Sequence, residues 1–376
     1  MSLILYTAAP YTESTSRLGF SGFLGTECGF SCLFPQPNWL YVPVRAFQSM
    51  IFEFTANPGF NFLARFSEQF DIPLQDNKLI IPERMGTGSI RKIDFSDNFK
   101  LILHHYTFNE EFVLRRNAPD AFSDLVTIVF YSSALPNNNL SNRERSFSCT
   151  KVNTSSIEVS SNDLNSEIRF PAGREIIFTV IGIKAPVLAE LLDLAAPNPL
   201  IERMTNGHNT FLYHVLIDPD FEKTLKSIAD TNVTDTLNKF FYKVKVQELL
   251  YLLFVKLTER ETKKESRINS ADVVKLMTVR DIMLTDLSVT PNLREMSRVA
   301  HMSETKMKVL FRQVFGDSIY NYYQTARMEE AASMLKQSGM AVSEVGYRLG
   351  FSNLSHFSRL FAKHHGHTPK KFQSVG

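Results

Sequence analysis

Cysteine is scarce, with three residues, Cys28, Cys32 and Cys149, in a chain of 376. Three thiols cannot build a disulfide framework, and Cys28 with Cys32 forms a lone C-x-x-x-C without a second pair downstream, so they read as isolated and reduced. No apolar run approaches the roughly 20 residues that a membrane span requires, which argues against a membrane protein. The opening "MSLILYTAAPYTESTSR" has no basic residue before Arg17 and makes a poor secretory signal. The chain therefore reads as cytoplasmic. It also lacks a G-x-S-x-G elbow, an H-E-x-x-H pair and a G-x-x-x-x-G-K-S/T loop, so no catalytic constellation appears, and neither an enzyme nor a cofactor is expected.

What is present divides the chain. Residues 1–49 are rich in Gly, Phe, Ser and Pro and show no sustained period; they read as an irregular extension upstream of Met50, where a regular pattern begins. From Leu79 to Ile183 short alternating or β-branched runs ("GSIRKIDF", "FKLILHHYTF", "EFVLRR", "LVTIVFYSS", "SIEVSS", "EIIFTVIGI") are separated by polar breaks, predicting an antiparallel sandwich or small barrel. Helical spacing follows in "APVLAELLDL" and in 238–261, a helix apolar around much of its circumference that its own domain or a partner chain must cover. Residues 50–261 thus form one expected domain. The charged stretch 262–271 is the expected linker, and 272–376 an all-α domain. Residues 271–376 carry 14 Lys and Arg against 9 Asp and Glu, a net of +5, while the remainder carries 27 against 30, or −3. A basic bias at one end suits a nucleic-acid partner.

The C-terminal domain repeats one pattern. "VTPNLREMSRVAHMSETKMKVLFRQVFG" predicts a short helix over about 292–300, a turn, and a second helix capped by Ser303 and running to Phe315. "VSEVGYRLGFSNLSHFSRLFAKHHG" does the same, with a turn at Gly350 and Ser352 as the expected cap. A helix from Ser318 to Gln337 joins them, with Asp317 available to cap it and Gly339 to end it. At about 100° per residue, Met307, Leu310, Phe311 and Val314 share one side of the first recognition helix. Thr305, Lys308, Val309 and Arg312 lie opposite. In the second, Phe357, Leu360 and Phe361 face inward, and Ser355, Ser358, Arg359 and Ala362 lie across from them with Lys363 at the edge. Small polar and cationic side chains on a free helix face suit base edges and phosphates, and Arg359 is the best candidate for a bidentate guanine contact.

"AVSEVGYRLGFSNLSHFSRLFAKHHGHTPKKF" closely resembles the signature of AraC/XylS-family transcription regulators, through Glu344, Gly346, Gly350, Phe351, the "SHFSRLF" helix, Gly366 and Pro369. The resemblance covers about the last 100 residues and extends to Arg327 and Ala331 of the joining helix. It implies DNA contacts at Thr305, Lys308 and Val309 in the first unit and at Leu354, Ser355 and Arg359 in the second. His365 stands where the family usually has an aromatic, and Gly346 where it usually has Ala. A looser resemblance, upstream of the first unit, is to the PchR-type subgroup that responds to ferric siderophores. The family implies a cupin-like effector and dimerisation barrel in the N-terminal half. It also implies double-stranded promoter DNA, RNA polymerase and a small-molecule effector as partners, a homodimer, and activation rather than repression. The rival is a ligand-independent regulator whose barrel only dimerises.

The chain's four C-terminal histidines, His356, His364, His365 and His367, do not read as a metal site. His364 falls by angle among the apolar residues, His356 at the edge, and no cysteine or carboxylate joins them. His104 and His105 lie on one strand and point to opposite faces, so only one can enter an interior. A fused methyltransferase would need a four-cysteine zinc site, which three cysteines cannot supply. Tyr106, Phe108, Phe112 and Phe130 are the candidates to line an effector pocket.

Overall fold

A computed structural model describes residues 50–376 apart from 58, 121–122, 133–154, 207–208, 232–235, 261–265, 267, 338–339 and 376. The proposed extension 1–49, all three cysteines and Gly339 lie outside the described residues. The N-terminal half holds strands β1 (Met50–Thr55), β2 (Leu74–Gln75), β3 (Lys78–Ile80), β4 (Gly86–Ser96), β5 (Phe99–Phe108), β6 (Phe112–Asn117), β7 (Leu125–Tyr131), β8 (Ser156–Ser161), β9 (Ser166–Phe170), β10 (Glu175–Lys184) and β11 (Leu212–Leu216). Its helices are α1 (Phe62–Phe70), α2 (Ala185–Leu192), α3 (Pro199–Thr205), α4 (Pro219–Ala229) and α5 (Asn238–Thr258).

The strands form a three-stranded sheet, β1-β6-β9, and an eight-stranded sheet ordered β11-β8-β7-β10-β5-β4-β3-β2. β5 shows why the larger sheet reads as nearly continuous apolar sequence. Ile102, His104, Tyr106 and Phe108 pack toward the small sheet and α1, whereas Phe99 and Leu101 pack toward the helices on the other side. A strand buried on both faces loses the polar half of its alternation. The half is therefore layered as small sheet, large sheet and helices α2 to α5. The expected closed barrel is not seen among the described residues: the large sheet is open, with β11 and the two-residue β2 at its ends. The open edge at β11 meets helical structure from the C-terminal half instead of a returning strand.

The aromatics expected to line a pocket are packed core. Tyr106, Phe108 and Phe112 belong to the cluster between the sheets, with rings 4.6–6.1 Å apart, and Phe130 lies in the separate cluster on the helix side. Each fully buried aromatic contributes about 1.5–3 kcal/mol. Vacating that interior for a ligand would therefore cost several kcal/mol before any contact formed.

The C-terminal half is all helix: α6 (Ser270–Thr285), α7 (Leu293–Val299), α8 (Glu304–Phe315), α9 (Ile319–Gln337), α10 (Val342–Arg348), α11 (Leu354–His365) and α12 (Pro369–Val375). α6 starts inside the stretch read as linker, because Asn269 Oδ1 accepts the Asp272 amide at 2.8 Å and caps it. The two halves share a core. Leu164 and Leu212 join the cluster of α6 to α9, the His214 ring of β11 lies 5.6 Å from Phe315, and Arg260 donates to the backbone carbonyls of both His214 and Val314. Gln313 closes the same seam, accepting the Ser266 amide and donating to its carbonyl, each at 3.1 Å.

Candidate nucleic-acid interface

Two helices, α8 and α11, are held in the same way. Each is preceded by a short helix and a tight turn, capped at its start by a polar side chain, and ended by a left-handed glycine, Gly316 or Gly366. Ser303 caps α8, its hydroxyl accepting the Lys306 amide at 3.3 Å. For α11 the cap is Asn353 and not Ser352: the helix begins one residue later than expected, and Asn353 Oδ1 accepts the His356 amide at 3.0 Å. α9 likewise takes Ser318 as its cap, the hydroxyl accepting the Asn321 amide at 3.2 Å. Asp317 instead accepts from the Ser318 amide and the Asn321 side chain.

Met307, Leu310, Phe311 and Val314 of α8 are buried, and Thr305, Lys308, Val309 and Arg312 are exposed. Among the described residues Lys308 is held by one surface pairing, with Glu304 at 3.5 Å. Lys306, by contrast, is committed to structure, reaching the buried carboxylate of Asp272 on α6 at 2.9 Å. On α11, Phe357 and Phe361 are buried and Leu360 is half-buried, while Ser355, Arg359 and Lys363 are exposed. Ser358 and Leu354 are half-buried. A Cβ on Gly346 would come within 2.6 Å of Leu354 Cδ2, so glycine there leaves room for Leu354 to lean onto α10.

The histidines resolve individually. His364 is exposed, contrary to its helical angle; α12 packs through Phe372 on Phe361 and His365 instead. His365 is the residue that packs: its ring lies 4.5 Å from Phe361 and 5.4 Å from Phe372 of α12, and its Nε2 donates to the Met328 carbonyl at 3.0 Å. It does an aromatic's packing and adds one hydrogen bond. Among the described residues no cluster of three His, Cys, Asp or Glu could hold a metal ion.

Sequence reasoning missed how Arg327 is used. Buried on α9, its guanidinium lies 3.8 Å from the centroid of Phe351 and donates to the Leu349 carbonyl and to Gln324, and burial pulls its pKa down. It thereby ties the joining helix to the turn that launches α11. The sequence marked Arg327 through the family resemblance, but not the contacts it makes.

Residues 296–374 match the model of the Helix-turn-helix domain family. The helical half thus carries a helix-turn-helix domain. The HTH-type transcriptional regulator GlxA of Rhizobium meliloti (strain 1021) is 31% identical over 94 residues, 25% of this chain and 29% of that protein. The arabinose operon regulatory protein of Escherichia coli (strain K12) is 32% identical over 73 residues, 19% of this chain and 25% of that protein. The chain spans less than a third of the length of either relative. Among solved structures, the DNA-binding domain of AdpA in complex with a target DNA matches with 24% identity and a TM-score of 0.26, over 27% of this chain and 91% of that one. The family match and the two relatives support a helix-turn-helix domain in the helical half. No helix of the described residues is long and apolar enough to cross a membrane.

Proposed function

We propose that the chain is a cytoplasmic, sequence-specific transcription regulator that inserts α8 and α11 into the major groove of promoter DNA and acts as an activator by recruiting RNA polymerase. The observation that carries this reading is the pairing of two capped helices, each buried on one side and presenting small polar and cationic side chains on the other. The base-facing set is Thr305, Lys308, Val309 and Arg312 on α8, with Leu354, Ser355, Ser358, Arg359 and Lys363 on α11. α9 has 19 residues. At 1.5 Å per residue it is about 28 Å long, close to the roughly 34 Å between successive major-groove faces. A homodimer is favoured by an apolar stripe on the solvent side of α5. Phe240, Val244, Tyr251 and Val255 are exposed there, and their spacing of four, seven and four residues puts them within about 60° on one side of the helix.

Control by a small molecule in the N-terminal half completes the reading, and a ferric siderophore is the class that the looser sequence resemblance favours. The packed space between the two sheets favours the rival, in which that half only dimerises. The test is selection of bound sequences from a random duplex library by the intact chain, followed by Arg359→Ala. The variant should lose about 1–3 kcal/mol of specific binding and relax preference at one base pair. A uniform loss over all sequences would make Arg359 a phosphate contact, and no enrichment by the parent chain would defeat the whole reading.

A further inference from the structure

We propose that the cavity between the helix side of the large sheet and helices α4 and α5 is a binding site for an organic anion with an apolar body. The inference rests on the regulatory reading above. It moves the ligand from the sheet-to-sheet interior, which is filled, to the opposite face of the large sheet.

The cavity has a volume of about 520 Å³, within the roughly 300–1,000 Å³ of small-molecule sites. Its apolar walls are Leu103 of β5, Ile177 of β10, and Leu225 and Ile228 of α4. Three cations also line it: Lys78 of β3, Arg91 of β4 and Lys226 of α4. Lys78 and Lys226 form no ion pair among the described residues. Arg91 is half-buried, and among the described residues its side chain makes one hydrogen bond, a 3.5 Å donation to the Tyr242 hydroxyl on α5. A partly desolvated guanidinium carries five donors in a planar fork, so one long bond to a phenol leaves most of its capacity for an anion unused. Glu222 on α4 and Asp230 at its end line the cavity too, but both are exposed. Water screens them more than it screens Arg91 on the sheet. An anionic head on Arg91 with an apolar body along α4 satisfies both parts of the lining.

The intact protein can be titrated with 1-anilinonaphthalene-8-sulfonate and, in parallel, with N-phenyl-1-naphthylamine, which has the same rings without the charge. The sulfonate should bind one saturable site. A charge-assisted hydrogen bond contributes about 1.5–3 kcal/mol, so Arg91→Leu should weaken the sulfonate by about tenfold or more. Lys226→Glu, an exposed change that leaves packing untouched, should weaken it in the same direction. Neither variant should alter the uncharged probe. The double variant Phe240→Ser, Tyr251→Ser should leave the sulfonate site intact. Equal binding of the two probes, indifference to both charge changes, or loss only in the α5 double variant would each overturn the proposal. Selected DNA gives the separate readout: both charge variants should bind it as the parent does. A chain that binds DNA but shows no sulfonate site defeats this inference alone, and one that shows the site but selects no DNA defeats only the function proposed above.

Discussion

Single side chains divide here into those that hold the fold and those left free, and neighbours in sequence can differ completely. Lys306 and Lys308 are two positions apart on α8, yet one is tied to buried Asp272 and the other pairs with Glu304 at the surface. An exposed pair of that kind contributes little to stability. Lys308→Ala should therefore leave the thermal midpoint nearly unchanged while weakening DNA binding and lowering the salt slope of log K by about 1. Unchanged affinity across a salt series would remove α8 from the interface. His365 is the converse case: it is one of four neighbouring histidines, yet its contacts are with two phenylalanines and a backbone carbonyl.

Helices and turns show where geometry leaves no choice. Gly350 sits at φ +76° in the turn before α11, and a Cβ there would lie 2.1 Å from the Ser288 carbonyl oxygen, a backbone atom that cannot step aside. Left-handed strain alone costs about 1–2 kcal/mol for a non-glycine residue, and the contact adds to it. Gly350→Ala should destabilise the helical half by at least about 2 kcal/mol in chemical unfolding, and a change below 0.5 would mean the turn relaxes freely. Gly346 differs, because the atom in its way is the tip of Leu354, which can swing. For α5, Phe240→Asp with Tyr251→Asp should convert a dimer to a monomer in sedimentation. Both side chains are exposed in the single chain, so its melting should hardly change.

At the scale of the whole chain, the buried imidazoles couple stability to acidity. Burial holds His104 down to about 3 and His214 well below the ordinary value of 6.5, with Arg280 and Arg260 adding to the second shift. Both rings are therefore neutral in the folded chain. Above pH 6.5 they are neutral in the unfolded chain as well and favour neither state. Below it the unfolded chain takes up protons that the folded chain refuses, and stability falls by about 1.4 kcal/mol per pH unit per histidine. Urea titrations at pH 7.5 and 5.5 should differ by about 3 kcal/mol from these two groups together. His104→Phe with His214→Phe, each set among aromatic rings, should remove most of that difference. An unaltered pH dependence in the double variant would place the coupling elsewhere. His214 lies against Phe315 and Tyr322 at the seam of the two halves, so acid should loosen that seam as well as the sheet.

Periodicity, caps and turn glycines are local, and for that reason the sequence alone determined the helical half: where α8 and α11 run, which of their sides is apolar, and that the pair repeats. It also located the strands from β4 to β8 and β10. Errors of one residue, as at Ser352 and Asn353, arose because adjacent polar residues can both accept an amide and only the folded turn chooses. What tertiary structure decided is long-range. Whether the sheet closes depends on what meets its edge, and β11 meets α8. Phe112 and Phe130 read alike in sequence, but Phe112 is on the small sheet and packs between the sheets, whereas Phe130 is on the large sheet and faces the helices. The cavity beside Arg91 exists only because α4, more than 120 residues away in the chain, lies across β4 and β5 without filling the space between them.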